Sequence, residues 1–364
     1  MARYKLTPDP STGRSYLPVT LAGAELLHDS ILNKGSAFPE DERDALRLRG
    51  LLPPAVSTIE QQLARAYENY CRHEDDLARH IYLVGLHDRN ETLFYRMLLE
   101  HLEEMLPIVY TPTVGRACQQ YSHIYRRSRG LFVTPADVPR MAEVLRNAAP
   151  PDVGVIVATD GEGVLGIGDQ GAGGMGISIG KLVLYTAAAG IHPSRCLPLC
   201  IDVGTANEAI RKDPLYLGLR SDRLRGDRYT ALLDALVEGI RHVYPGVLLQ
   251  WEDFSRQNAC TVLDRYRDRL CSFNDDIQGT AAVVIAGVLK YCQVVRRPFT
   301  DQRFCVHGAG AAGSGIAATL TRTLCDLGMT RGEARRNVAA LDSEGLVLSD
   351  RPALPAYKRD AAWD

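Results

Sequence analysis

The chain has no C-x-x-C pair and no even set of cysteines. Its nine lie scattered at positions 71, 118, 196, 200, 260, 271, 292, 305 and 325. An odd, unpatterned set argues against a disulfide framework and reads as reduced thiols, which points to a cytoplasmic protein. An excess of charge of one sign is also missing. The formal net charge is -2, which leaves no electrostatic case for nucleic acid or an anionic membrane as partner. No run of 18 apolar residues occurs, and Met1-Ala-Arg-Tyr-Lys is not the start of a signal peptide. Export and membrane insertion are therefore not expected. Internal repeats and low-complexity segments are absent.

What the chain does have is bulk and alternation. Its 364 residues, 46% of them hydrophobic, suffice for two or three cores at about 100–200 residues per domain. Residues 1–128 read as mostly helical. Apolar residues recur at three- and four-residue spacing in Glu60–Tyr67 and in Thr92–Leu102. From residue 153 the pattern changes to apolar runs ended by turns. Val153–Ala158, Cys196–Val203 and Val247–Trp251 read as buried strands, with helices over 180–190 and 229–244 between them. This alternation predicts a parallel α/β sheet, whose ligands gather beyond the carboxyl ends of the strands. Asp160, Asp202, Glu252 and Asp253 all stand at such ends. The expected organisation is a helical N-terminal domain (1–128), an α/β substrate domain (129–275) and part of a Rossmann-type domain (276–364).

Two adjacent acid pairs carry the most information: Trp251-Glu252-Asp253-Phe254 and Phe273-Asn274-Asp275-Asp276-Ile277. Each pair sits among aromatic or apolar neighbours. Burying like charges together is costly, and a cation is the usual remedy. Oxygen ligands without His or Cys favour a hard divalent ion, Mg²⁺ or Mn²⁺. The plainer alternative is a set of helix caps and ion pairs.

About thirty residues later comes a strand, Arg303–His307, followed by Gly308, Gly310 and Gly313 at G-x-G-x-x-G spacing and a helix through Ile316–Leu320. The glycines allow a tight turn, approach of a pyrophosphate, and close packing of helix on strand. The helix N-terminus favours phosphate. Asn337–Asp342 reads as the next strand, with Asp342 placed to accept hydrogen bonds from a ribose. Its distance from the fingerprint exceeds the usual spacing, as an inserted turn around Gly328–Gly332 would explain. A second match, Gly166-Ile-Gly168-Asp-Gln-Gly171, meets more glycines and Met175 before any helix and reads as a decoy. Gly180-Lys181 is not a P-loop, since Leu182 stands where the metal-binding Ser or Thr should be.

Lys181 opens an apolar helix behind a glycine-dense loop on this reading. A partly buried lysine there would give up its proton readily, as a general base must. A snorkelling surface lysine is the plainer alternative. Tyr110, in Pro107-Ile-Val-Tyr-Thr-Pro-Thr, is a candidate phenolic acid, although such a tyrosine is more often a structural hydrogen bonder. His192, His242 and His307 show no ligand spacing.

Taken together, these residues resemble the malic enzyme family. The resemblance runs through Asn33-Lys-Gly-Ser-Ala-Phe, Gly50-Leu-Leu-Pro-Pro, Val109-Tyr-Thr-Pro-Thr-Val-Gly, Thr159-Asp-Gly, Leu165-Gly-Ile-Gly-Asp-Gln-Gly, Asp213-Pro-Leu-Tyr-Leu-Gly, Trp251-Glu-Asp-Phe and Phe273-Asn-Asp-Asp-Ile-Gln-Gly-Thr. It implies oxidation of L-malate by NAD, with NADP possible, and decarboxylation to pyruvate with Mn²⁺ or Mg²⁺. It further implies Glu252, Asp253 and Asp276 as metal ligands, Lys181 as base, Tyr110 as acid, and Asp275 as the group that orients Lys181. A homo-oligomer, dimer or tetramer, is implied if the fold is complete.

Two departures qualify the resemblance. Where the family usually has a substrate-binding arginine after Asp-Gly-Glu, this chain has Gly163, a pattern closer to malolactic enzymes and some bacterial malic enzymes. Conversion of malate to lactate without net NAD reduction is therefore the runner-up. The chain also stops at Asp364, just after the second expected strand of the nucleotide fold, where family members continue. The expectation is a truncated member, inactive or nearly so and prone to aggregate, with a non-enzymatic remnant as the third reading.

Overall fold

The computed structural model describes every residue except 1–3, 5–6, 9, 14, 149–151, 165 and 364. Leu165 of the glycine loop and most of the opening Met1–Lys5 stretch lie outside the described residues. The chain forms two compact units, one of residues 1–157 and 169–247, the other of residues 158–168 and 248–364. The expected boundary at 128 falls inside the first unit, and that at 275 inside the second.

The first unit opens with a two-stranded antiparallel pair, Thr7–Pro8 with Ser15–Tyr16, and two short helices, Gly23–Leu27 and Glu40–Ala45, followed by longer helices. They are α1 (Ile59–Cys71), α2 (Asp76–Arg89), α3 (Glu91–Glu100), α4 (Leu102–Val109) and α5 (Thr113–Gln119). Side chains start the first three: Thr58 and Gln61 form a capping box, Asp75 accepts from Ala78 N–H and Asn90 from Leu93 N–H. The single helix expected over 92–102 is in fact two. The chain turns at His101, whose ring stacks on Tyr67 with centroids 3.9 Å apart, so a tertiary ring contact overrides local periodicity. The Asn33–Phe38 and Gly50–Pro54 motifs meet around buried Arg43, which donates to the carbonyls of Ser36, Phe38, Pro53, Pro54 and Ala55.

The chain then enters the α/β part: β1 (Leu131–Val133), β2 (Val155–Thr159), α6 (Met175–Ala189), β3 (Cys196–Ile201) and α7 (Gly226–Val243). β1 pairs parallel with β3, Leu131 opposite Leu199 and Val133 opposite Ile201. Val183 of α6 belongs to the same apolar cluster as Leu63, Leu86, Phe94 and Ile108. The helical segment and the strand–helix segment thus share one core.

The second unit continues with β4 (Leu248–Trp251), α8 (Arg256–Tyr266), β5 (Ser272–Asn274), α9 (Thr280–Val295), β6 (Phe304–His307), α10 (Ala311–Asp326), α11 (Arg331–Arg336), β7 (Val338–Asp342) and β8 (Gly345–Leu346). β4 and β5 are parallel, with Trp251 opposite Asn274. β6 and β7 are parallel, and β8 folds back antiparallel on β7. The inserted turn expected at 328–332 is in part helix α11, begun by a Thr330–Glu333 capping box.

Two helical stretches, Gly171–Ala189 and Asp275–Val295, are long and apolar enough by composition to cross a membrane. Half of the first is buried, as in a core helix, but only 17% of the second. On α9, Val283, Tyr291 and Val294 are exposed.

Candidate functional site

In the first unit, Tyr110 caps the end of α4, and its carbonyl accepts from Val114 N–H, which starts the next helix. Lys181 is half-buried on α6, and its Nζ lies 5.2 Å from the centroid of the Tyr110 ring. The sequence reading needs correcting on one point: Lys181 does not open its helix. α6 begins six residues earlier, at Met175. The glycines taken for loop residues are instead contact residues. A Cβ on Gly176 would come within 2.9 Å of Cys118 Sγ, and one on Gly180 within 2.8 Å of the Tyr110 ring. Glycine inside this helix lets α5 and the Tyr110 segment approach it, a packing gain that offsets its low helix propensity.

The glycine loop before α6 is tied by charge. Arg223, almost fully buried, donates from Nε and Nη2 to the two oxygens of Asp169, at 3.0 and 2.9 Å. Asp169 also accepts from the N–H groups of Ala206 and Gly171. Its carboxyl lies below the usual carboxylate range: burial raises it, and the Arg223 guanidinium and backbone donors outweigh that. Asp202, at the end of β3, accepts from Gly204 and Leu219 N–H, and burial shifts it upward.

In the second unit the two acid pairs follow β4 and β5. Glu252 and Asp253 are buried, at 3% and 5% exposure. Glu252 N–H donates to Ala158 O, and Gln250 Nε2 donates to the Glu252 carboxylate. Asp253 adopts a left-handed backbone, φ 55°, which costs a non-glycine residue about 1–2 kcal/mol. Asp253 N–H donates to Asp276 Oδ2 at 3.0 Å, so the second pair is drawn onto the backbone of the first. Asp275 and Asp276 open a wide helical turn, Asp275–Gly279, of the π type, a form frequent at functional sites. The Asp275 side chain packs over Gly279, leaving no room there for a Cβ.

The donor chemistry of Glu252, Asp253 and Asp276, oxygen only and mostly buried, suits a hard divalent cation. Among the described residues, however, no three carboxylate, His or Cys groups are gathered as a ligand cluster. The Asp276 carboxylate is turned to the Asp253 N–H, although a carboxylate has about four lone-pair sites and can accept more. Trp251 Nε1 and Asn274 Nδ2, on residues paired across β4 and β5, are buried without a partner.

Gly163 explains itself in this unit. Its N–H donates to Asp253 O at 2.9 Å, and a Cβ would collide with the Phe254 carbonyl. Nearby, Asn258 Nδ2 donates to Glu162. The departure at 163 is visible in the sequence, but the backbone that occupies the space a side chain would need beside the acid pair is not.

The fingerprint turn is built as expected. Gly308 has φ 114°, and the N–H groups of Gly308 and Ala309 both donate to Leu341 O at 2.9 Å. Gly310 is the N-cap of α10. A Cβ on Gly313 would collide with Gly308 O, and one on Gly315 would come within 2.6 Å of Ile277 O. Arg256, which the sequence reading passed over, brings its side chain to 3.6 Å from the place a Gly310 Cβ would take. Fifty-four residues separate the two, so no local pattern could signal the pairing.

Asp342 ends β7 but is already engaged. Arg351 Nη1 lies 2.7 Å and Lys358 Nζ 2.6 Å from its Oδ2. Hydrogen bonds from Lys358, then Arg351, hold its carboxyl far below the usual range.

Residues 87–267 match the family model for the malic enzyme N-terminal domain, and residues 277–362 that for the malic enzyme NAD-binding domain. The NAD-dependent malic enzyme of Acinetobacter baylyi is 46% identical over 357 residues, 98% of this chain and 63% of that protein. NAD-dependent malic enzyme 3 of Bacillus subtilis is 48% identical over 353 residues, 96% of this chain and 62% of its own. The Aeromonas hydrophila NAD-dependent malic enzyme is 48% identical over 344 residues, 94% and 61%. The chain spans about three-fifths of the length of these relatives.

Proposed function

Because the chain belongs to the malic enzyme family, we propose that it carries the machinery for oxidative decarboxylation of L-malate to pyruvate and CO₂ with reduction of NAD⁺. The observation that carries this reading is the Lys181 Nζ set 5.2 Å from the Tyr110 ring. A base and a phenol side by side on packed helices are what a reaction needs that first removes a hydroxyl proton and later returns one to carbon. Lys181 would take the proton from the malate hydroxyl, and a bound nicotinamide would supply the hydride acceptor. Tyr110 protonates the enolate left when CO₂ departs. Asp275 keeps the supporting role that the family resemblance implies for it. Glu252, Asp253 and Asp276 hold Mn²⁺ or Mg²⁺, which when bound supplies Lewis-acid polarisation of the substrate oxygen.

Gly308, Gly310 and Gly313 would hold the cofactor's pyrophosphate at the start of α10, since a helix N-terminus favours anions. Arg256 adds a positive charge beside that turn, and Asp342 addresses the ribose. Gly163 also occurs in malolactic-type patterns, but the three relatives described above are named as NAD-dependent malic enzymes, which supports the oxidative outcome.

The test is a coupled assay with L-malate, NAD⁺ and Mn²⁺ that follows NADH and pyruvate together. Whatever turnover the chain supports should give NADH and pyruvate in equal amounts. Lys181→Ala and Tyr110→Phe should each lower the rate by about 10²–10⁴-fold. Lactate without NADH would overturn the oxidative reading, and unchanged rates in both variants would overturn the assigned roles.

A further inference from the structure

Helices α2, α5 and α6 of the first unit enclose an apolar cavity of about 280 Å³ that plays no part in the proposed reaction. Its walls include Leu83, Phe94, Val109, Ala117, Ile179 and Val183. Such a volume lies near the lower end for small-molecule pockets, which are mostly apolar with a few placed polar groups.

His80, Tyr121 and Tyr125 also line the cavity, and two further polar features mark it as a site. The first is His87, 4% exposed, stacked on Phe94 at 4.2 Å and edge-on to Tyr95. Its Nε2 is buried and has no hydrogen-bond partner. A buried polar atom left unpaired costs free energy, so this nitrogen invites a ligand or water. Burial also holds the ring neutral, which lets one nitrogen accept from a hydroxyl.

The second feature is charge. Three arginines, 126, 127 and 129, line the cavity against one acid, Asp88. Arg129 is neutralised by Asp88 and Glu91, each at 3.0 Å. Among the described residues Arg127 forms no ion pair and donates to the backbone carbonyls of Asp88 and His28, with Glu25 and Asp29 lining a neighbouring pocket beside it. Arg126 is exposed beside it. An anionic group at the exposed side is therefore favoured.

We propose that this cavity binds a small aryl or alkyl carboxylate that carries a hydroxyl at its buried end. Its apolar body lies between the helices, its hydroxyl donates to His87 Nε2, and its carboxylate faces Arg126 and Arg127. Gly180 forms part of the wall and packs on the Tyr110 ring, so the cavity backs onto the Lys181–Tyr110 pair. The acid pairs and the fingerprint belong to the other unit.

Calorimetry on the full chain tests this with three probes: 3-(4-hydroxyphenyl)propanoate, 3-phenylpropanoate and tyramine. The hydroxyphenyl acid should bind with Kd at or below about 1 mM. Loss of the hydroxyl and replacement of the carboxylate by an ammonium should each weaken binding, the latter by about fivefold or more. Half-buried Val84 lines the cavity, and Val84→Trp should abolish binding by filling it. Arg126→Glu, at an exposed position that carries no fold risk, should weaken the acid but not tyramine. Equal affinity for all three probes, or acid binding unchanged in both variants, would overturn the proposal. So would sedimentation showing a dimer of the unchanged chain that Val84→Trp converts to monomer, because a second copy would then occupy the face.

Discussion

The carboxylate of Asp276 accepts the backbone N–H of Asp253 at 3.0 Å, and this bond joins acid pairs 23 residues apart. It gives Asp276 a structural role in addition to the metal role proposed for it. Asp276→Asn keeps an acceptor oxygen for that N–H but removes a charge, so it separates the two roles. Thermal stability should fall little, whereas Mn²⁺ affinity by calorimetry should drop at least about tenfold, since affinity for hard cations follows ligand charge. Asp276→Ala should lose both. Unchanged Mn²⁺ binding in the asparagine variant would remove Asp276 from the ligand set.

Gly163→Arg restores the residue the family usually carries, yet it should damage this chain. The new Cβ would meet the Phe254 carbonyl beside the acid pair. Overpacking of this kind costs about 1–3 kcal/mol. The expected outcome is a lower Tm together with weaker Mn²⁺ binding, as Glu252 and Asp253 move. A Tm equal to that of the parent would show that the Phe254 backbone yields freely.

His87 predicts an acid-side loss of stability. Burial lowers its folded pKa below the ordinary value of about 6.5. The unfolded chain then binds the proton more readily, so this stability is complete above pH 6.5 and declines as the pH falls below it. Half-buried His80, also shifted downward by burial, adds in the same direction. Urea midpoints measured from pH 8 to pH 5 should fall, and His87→Phe should flatten the slope. A slope unaltered by that substitution would place the proton uptake elsewhere.

Asp342 bears on the choice of cofactor. A free carboxylate at this strand end favours a ribose hydroxyl and repels a 2′-phosphate, but Arg351 and Lys358 offset its charge. NAD⁺ should bind more tightly than NADP⁺, by less than about tenfold because of those cations. Arg351→Ala should widen the gap. Tighter NADP⁺ binding by the unchanged chain, measured by fluorescence titration, would reverse the assignment.

The open face of α9 should drive self-association. Val283 and Val294 are 75% and 70% exposed, and contiguous apolar surface marks a contact site or an aggregation liability. Val283→Lys with Val294→Glu should lower the scattering of concentrated solutions and leave the Tm within about 0.5 kcal/mol equivalent, as surface changes generally do. Scattering unaffected by the double change would assign the association to another surface.

Much of this protein was legible from local pattern. The first acid pair ends up where expected, just past β4, because an apolar run followed by turn residues marks a buried strand; the short β5 ahead of the second pair carries no such run and does not show in local pattern. The glycine fingerprint forms its tight turn because only glycine takes φ 114° at residue 308 without strain. The glycines of 173–180 were misread because the same residue serves two ends. In a turn it supplies backbone freedom, and in α6 it supplies room for Cys118 and the Tyr110 ring. No periodicity within the segment distinguishes these uses.

By itself, then, the sequence determined which chemical groups exist and on which kind of element each is carried, since strand, turn and helix preferences act over a few neighbouring residues. Only the tertiary structure decided what those groups face. It set Arg256 beside Gly310, placed Arg351 and Lys358 on Asp342, closed the backbone of Phe254 over Gly163, and left an unpaired His87 nitrogen in a cavity between helices. Each of these depends on side chains or backbone brought together by packing of whole elements, and the free energy of that packing is summed over the core and written in no single stretch of chain.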